Sequence, residues 1–103
     1  MNRADQFAAY VTARDELQRQ LDLASAALKA IPGIGSGPMG LTPDHIRAGA
    51  DYQNARRAYD SAHSRLARLN GSNVKRFAPE LRLEREARRA AMVMAREGLA
   101  SHG

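Results

Sequence analysis

The feature that most constrains the fold is a seam of side chains spaced alternately three and four residues apart in the first third of the chain. It is apolar apart from Arg14, and its members are Phe7, Tyr10, Arg14, Leu17, Leu21, Ala24, Leu28 and Ile31. This is the a/d spacing of a coiled coil, and it predicts one helix over about residues 3–31, roughly 40 Å long. A helix of that length in a chain of 103 residues favours an extended hairpin over a compact ball.

A segment rich in Gly and Pro follows, and over about residues 32–41 it predicts a loop. The residues behind it are typical of a helix start, with Thr42 as the N-cap and Pro43 in the first helical position. The sequence therefore predicts a short helix over about residues 43–48, which Gly49 interrupts.

A second seam predicts a longer helix over about residues 51–69. Its members again alternate three and four apart and are Tyr52, Ala55, Tyr59, Ala62, Leu66 and Leu69. Asn70-Gly71 is a left-handed cap signal and predicts the end of this helix. Since the two seams have the same period, the two helices are expected to pack antiparallel around the loop.

A basic helix is predicted at the C-terminal end, over about residues 79–97, after a connecting turn that contains Val74 and Phe77. On a helical wheel it has an apolar stripe and a basic face on opposite sides. The apolar stripe comprises Leu83, Ala87, Ala90, Ala91 and Met94. The basic face comprises Arg82, Arg85, Arg88, Arg89 and Arg96.

The predicted fold class is therefore all-α: a long antiparallel helical hairpin, similar to a coiled coil, plus a basic C-terminal helix, in a single domain over residues 1–103. Ala supplies 20 residues, whereas Leu, Ile, Val and Phe together supply only 18. Ala favours thin, closely packed helices, but it buries little area per residue. We therefore expect a homo-oligomer to complete the core.

Composition excludes several kinds of chemistry. There is no Cys, so disulfides, thiolate metal sites and thiol catalysis are excluded. His63 and Asp60 can supply two metal ligands at most, and zinc requires three or four. We expect no metal, no cofactor, no catalytic residue and no membrane span. The N-terminus has no apolar segment of the signal-peptide kind, so a cytoplasmic location in a bacterial or host cell is expected.

The loop also contains the letters of a dinucleotide-binding turn. Residues 35–40, GSGPMG, match G-x-G-x-x-G, but that motif requires a strand entering the turn and a βαβ unit around it. Here the segment entering the loop is the end of a heptad helix. We therefore expect an inter-helix loop, either only a hinge or a contact site for a partner through Ile34 and Met39.

The basic face of the C-terminal helix is the main positive signal for function. The net charge is +5, and 14 of the 16 basic residues are Arg. Lys75 and Arg76 precede the basic face, and Arg56 and Arg57 extend the basic surface along the preceding helix. Guanidinium groups on one helix face suit a phosphate backbone. The alternative is a solvated charged face, in which neighbouring Glu residues such as Glu84 neutralise part of the charge.

A helix-turn-helix is a further alternative for the segment LTPDHIRAGADYQNARRAYD. Gly49 would form its turn, and Gln53, Asn54, Arg56 and Arg57 would contact bases. Its first helix would have barely two turns and would lack large apolar residues to fix it on the second helix.

The stretch from Gly37 to Arg89, which includes GPMGLTPDHIRA and DYQNARRAYDSAHSRLARLNGSNVKRFAPELRLERE, resembles small helical accessory proteins carried by proteobacterial phages and plasmids. The resemblance covers about half of the chain and includes no catalytic motif. It implies a mobile-element accessory protein that either handles DNA or binds and inhibits host proteins, including defence systems.

We accordingly expect a non-enzymatic protein that contacts a nucleic-acid backbone through the basic face. A protein-binding inhibitor or adaptor of a host protein complex, for example of the anti-CRISPR type, is the first alternative. A structural helical oligomer is the second.

Overall fold

A computed structural model describes the backbone of residues 2–102 and the side chains of residues 2–99. Its elements are α1 (Arg3–Lys29), a 3₁₀ turn (Pro38–Gly40), the one-turn helix α2 (Asp44–Arg47), α3 (Ala50–Arg76) and α4 (Ala78–His102). No strand occurs among the described residues, so the predicted all-α fold is confirmed.

Helices α1 and α3 form the predicted antiparallel hairpin. On α1, Tyr10, Leu17 and Ala24 are buried at seven-residue spacing, and the other seam positions are half-buried. On α3, Ala62 is only 2% exposed. Ala24 and Ala62 both occupy buried seam positions, and their small side chains let the two helix backbones approach closely.

The predicted end of the second long helix at Leu69 is wrong. Helix α3 continues through Gly71 to Arg76, and Gly71 does not adopt a positive φ. An interior Gly costs a helix about 1 kcal/mol relative to Ala, which does not terminate it. The three- and four-residue spacing of covered positions also continues beyond Leu69, through half-buried Asn73 to buried Phe77. The burial pattern of a helix thus continues past the cap signal.

The actual break between the last two helices is a single residue, Phe77. Hydrogen bonds of helical spacing bridge it, from the Phe77 amide to the Asn73 carbonyl and from the Leu81 amide to the Phe77 carbonyl, both at 2.9 Å. Pro79 has no amide hydrogen and so leaves one helical bond unmade, which accounts for an interruption here. Val74 was expected in a connecting turn, but it belongs to α3.

The chain divides into two compact units, Met1–Asn70 and Gly71–Gly103. The first unit holds the α1–α3 hairpin and its loop. The second holds the last turns of α3 and all of α4, which is longer at both ends than predicted. Within α4, Leu81 is buried, but every side chain from Arg85 to Leu99 is exposed.

Candidate nucleic-acid interface

The basic face of α4 lies entirely on exposed helix. Its five Arg side chains, at Arg82, Arg85, Arg88, Arg89 and Arg96, are all exposed. Arg82, Arg89 and Arg96 are seven residues apart, so they repeat about every 10 Å along the same line of the helix and span roughly 21 Å. The face therefore presents a row of guanidinium groups to solvent.

Only one member of the face is neutralised by a neighbour among the side chains of residues 2–99. Arg88 contacts Glu84 at 3.1 Å, four residues earlier, as the sequence spacing suggested. The guanidinium groups of Arg82, Arg85, Arg89 and Arg96 form no ion pair or hydrogen bond with residues 2–99. Four of the five charges thus remain available to an anionic partner.

Lys75 and Arg76 belong to the same unit as the basic face, in the last turn of α3. Both are exposed, and the Arg76 guanidinium lies 4.9 Å from the centre of the Phe77 ring. A guanidinium over an aromatic ring keeps its charge while its orientation is restricted. Arg76 is therefore better positioned than Lys75 to make a directed contact.

Arg56 and Arg57 lie in the first unit, on the exposed side of α3. Arg56 Nε is 3.3 Å from Asp60 Oδ1, and its guanidinium is 5.5 Å from the Tyr59 ring centre. Asp60 thus pairs with Arg56, while His63 stacks on Tyr59 with ring centres 6.1 Å apart.

The loop uses its own backbone donors. Gly37 donates its amide to the Leu41 carbonyl at 2.7 Å, Gly40 donates to Gly37 at 3.2 Å, and Gly35 donates to the Thr42 hydroxyl at 3.1 Å. A phosphate-binding loop directs such amides at the ligand. The three motif glycines of GSGPMG direct theirs within the loop.

Thr42 therefore does not cap a helix, contrary to the prediction. Its hydroxyl accepts from Gly35 and braces the loop, and α2 begins after Pro43 without any side-chain cap. A Thr hydroxyl can accept a hydrogen bond from any backbone amide nearby, and the local sequence does not specify which one. Here the amide is that of Gly35, and the bond joins the two ends of the loop.

Of the two predicted loop contact residues, Ile34 is half-buried and Met39 is 97% exposed. Met39 has φ 59° and ψ 24°. This is the left-handed conformation, which is unfavourable for residues other than Gly, Asn and Asp. The loop thus holds an apolar side chain in solvent through a strained backbone.

The helix-turn-helix alternative lacks its first helix, because α2 is a single turn of four residues. Gln53, which would contact bases, donates from its side-chain amide to the Arg47 carbonyl at 2.6 Å and closes the end of α2. The side-chain amide of Gln53 thus already donates one hydrogen bond within the chain.

Two depressions between α1 and α3, together called the hairpin groove, were not predicted from the sequence. One part is lined by Ala13, Leu17, Leu69, Arg65 and Arg68, together with Glu16 and Gln20. The other part is lined by Ala27, Ala30, Ile31 and Ala55, together with Pro32, Asp51 and Asn54. The seven-residue spacing of Ala13, Gln20 and Ala27, next to the seam, was the available signal.

Among the residues described, no three His or carboxylate side chains are grouped as metal ligands. None of the described helices has an apolar stretch long enough to cross a membrane. No protein family, curated protein or solved structure matches the chain.

Proposed function

We propose that the protein binds a nucleic-acid backbone through the basic face of α4. The observation that carries this proposal is that Arg82, Arg85, Arg89 and Arg96 are exposed on one helix face without an acidic partner among the side chains of residues 2–99. Charges kept unneutralised over roughly 21 Å repel one another, and an anionic polymer relieves that repulsion.

Phosphate contact would dominate such binding, with little selection among sequences. The face consists of cations and contains no Asn or Gln to distinguish bases. Each phosphate neutralised on duplex DNA lowers the logarithm of the binding constant by about 0.9 per tenfold rise in salt. Contacts from four Arg side chains thus predict a slope of about −3 to −4.

The test is fluorescence anisotropy with a labelled DNA duplex at several salt concentrations. Charge reversal at Arg85 and Arg89 should weaken binding at least tenfold at low salt and reduce the slope. The matched control reverses Arg47 and Arg19, which changes the net charge equally but removes cations already paired with Asp44 and Glu16. Circular dichroism checks that all variants remain helical.

Binding without salt dependence, or binding that survives reversal at Arg85 and Arg89, would contradict the proposal. An equal loss in both double variants would show that net charge matters and the face does not. In either case the contact with DNA would have to come from another part of the chain.

A non-enzymatic DNA-binding protein of this size suits the accessory role implied by the resemblance to phage- and plasmid-borne proteins. Such a protein would act in the cytoplasm of the bacterial host. Its contribution would be to coat or bend DNA, or to hold it for another factor, because the basic face provides attraction and no catalytic group.

A second function, inhibition of a host protein complex, is favoured by Met39. A fully exposed Met in a strained backbone contributes no burial within the described chain, so its side chain is best explained by an apolar pocket on a partner. Met39→Asn keeps the left-handed conformation favourable and removes the apolar contact. Leu23→Asn, at another exposed apolar residue, is the control.

The experiment for this second function is capture of partners from a nuclease-treated host lysate. A protein retained by the wild type and by Leu23→Asn, but lost with Met39→Asn, supports a Met39 contact. Partners that disappear with nuclease favour nucleic-acid binding instead. Retention of the same protein by Met39→Asn would rule out the loop as its contact.

A further inference from the structure

The part of α4 over residues 85–99 has no covered face. All 15 side chains of this segment are exposed, whereas in α1 and α3 no run of consecutive exposed side chains is longer than three. Its large apolar side chains lie in solvent, with Met94 71% and Leu99 75% exposed. Most helical stability in proteins comes from packing an apolar face, so this segment depends mainly on interactions within the helix itself.

The charges of the basic face oppose the helix as well as support it. Arg88 pairs with Glu84 at 3.1 Å, four residues earlier, which favours the helix. Arg85 follows Arg82 by three residues and precedes Arg89 by four, and like charges at these spacings destabilise a helix. The guanidinium groups of these three residues have no acidic partner among residues 2–99. The helix thus brings together like charges that an open chain would separate.

The start of α4 is anchored, in contrast to the segment that follows. Phe77 is 1% exposed and Leu81 is 8% exposed. The Leu81 amide donates to the Phe77 carbonyl at 2.9 Å, so helical hydrogen bonding is already established there. The unfavourable nucleation step of an isolated helix is therefore not needed. Residues 85–99 can gain or lose helical turns without disturbing the anchored start.

We propose that in the free protein residues 85–99 exchange between helical and open conformations, and that binding of a nucleic-acid backbone makes them fully helical. The inference rests on the proposed function of the basic face. Phosphates next to Arg82, Arg85 and Arg89 would remove the repulsion that opposes the helix, and the helical form places these groups on one face. The helical form is thus the bound form, and its population in the free protein sets the affinity.

Coupling of this kind makes the affinity depend on residues that touch no phosphate. When the binding-competent form is only partly populated, the apparent dissociation constant rises in inverse proportion to its population. A substitution on the far side of α4 therefore changes the affinity if it changes the balance between helix and open chain. A fully preformed helix would show no such effect.

Amide hydrogen exchange tests the free protein without nucleic acid. Relative to their intrinsic rates, the amides of residues 85–99 should exchange at least about tenfold faster than those of residues 55–68 in the packed helix α3. A saturating DNA duplex should then slow the exchange of residues 85–99 by about tenfold. The helical circular dichroism signal of the protein should rise in the same titration.

Substitution of Ala by Gly tests whether helix stability sets the affinity. Ala91 is exposed and lies 180° around the helix from Arg82 at about 100° per residue. Ala91→Gly should raise the dissociation constant for a DNA duplex up to about fivefold, because an interior Gly lowers the helical population by about that factor. Ala67→Gly, at an exposed position on α3, is the control. Packing against α1 keeps α3 helical, so the control should leave the affinity unchanged.

Substitution of Gly by Ala should have the opposite effect. Gly98 lies within α4, and a Cβ there meets no atom within 4 Å. Gly98→Ala should favour the helix and lower the dissociation constant, although it adds no charge and no hydrogen-bonding group. Gly71→Ala, within α3, is its control and should leave the affinity unchanged.

Exchange of residues 85–99 in the free protein as slow as that of α3 would overturn the inference and leave the proposed function intact. Normal DNA binding with the same affinity in wild type, Ala91→Gly and Gly98→Ala would do the same. Fast exchange that the duplex does not slow, together with no binding by fluorescence anisotropy, would contradict the proposed function and overturn the coupling with it. The two failures are therefore distinguishable.

Discussion

The hydroxyl of Tyr10 donates a hydrogen bond of 2.6 Å to Oδ1 of Asn70, sixty residues later in the chain. Tyr10 is buried and Asn70 is half-buried. A seam that repeats every seven residues packs almost equally well after a slip of one heptad. A single directed polar pair does not tolerate that slip. The bond therefore selects the register of α1 against α3.

Tyr10→Phe should lower the free energy of unfolding by about 1–2 kcal/mol, because the ring still packs while the part-buried Asn70 oxygen loses its donor. Urea unfolding followed by circular dichroism measures the change. Tyr59→Phe is the control, since no hydrogen bond from the Tyr59 hydroxyl occurs among the described residues. Equal effects of the two substitutions would show that the Tyr10 bond does not determine stability.

The hairpin could be predicted from the sequence because both its seams consist of long runs with one period. Every seam position on α3, from Tyr52 to Leu69, is buried or half-buried, as expected. A pattern repeated over several turns averages out local exceptions, and Arg14 is tolerated as one of them. Helix existence and pairing are therefore the predictable part of this fold.

Features decided by one or two residues were not predictable. Asn70-Gly71 is typical of a helix end, yet α3 runs through Gly71 without a positive φ. Thr42-Pro43 is typical of a helix start, yet the Thr42 hydroxyl accepts from the amide of Gly35 and caps no helix. At Thr42 a contact seven residues earlier in the chain replaces the one that the local motif indicates. The hairpin groove was missed for a related reason, because a groove belongs to two helices at once.

Ala62 on α3 is only 2% exposed, so the space around its side chain is limited. Ala62→Leu should lower the free energy of unfolding by about 1–3 kcal/mol, because a larger side chain has no space at a fully buried position. Ala58→Leu, at an exposed position on the same helix, should change it by less than about 0.5 kcal/mol. Thermal unfolding compares the two. A stable Ala62→Leu variant would mean that the helices separate there at little cost.

Gly37 allows the loop backbone to close on itself. A Cβ at this position would lie 2.6 Å from the Leu41 carbonyl oxygen, which also accepts the Gly37 amide hydrogen. Gly37→Ala should therefore open this contact and lower the free energy of unfolding by about 1–3 kcal/mol. Urea unfolding gives the value, and loss of the hydrogen bond appears as faster amide exchange at Gly37.

Gly71→Ala is the matched control for Gly37. It lies within α3, and a Cβ there meets no atom within 4 Å. Ala is the better helix former, so this substitution should stabilise the protein by about 0.5–1 kcal/mol. The same chemical change thus has opposite signs at the two positions. Destabilisation by Gly71→Ala would indicate that α3 does not run through residue 71.

The carboxylate of Glu16 leads to a prediction about pH. It accepts two hydrogen bonds from Arg19, at 2.6 and 2.9 Å, and one from Gln20 at 3.2 Å. These contacts, those of Arg19 first, lower the pKa of Glu16 from 4.5 to about 2. Since the pKa is lower in the folded state, the stabilising contribution is complete above about pH 4.5 and is lost as the pH falls towards 2.

NMR titration of the Glu16 side-chain carboxyl carbon measures this pKa directly. Arg19→Gln should raise it the most, because Arg19 is the largest cause of the shift, and Gln20→Ala should raise it by a smaller amount. The stability of the Arg19→Gln variant should also change less between pH 4.5 and pH 2 than that of the wild type. A wild-type midpoint near 4.5 would show that the three bonds do not persist in solution.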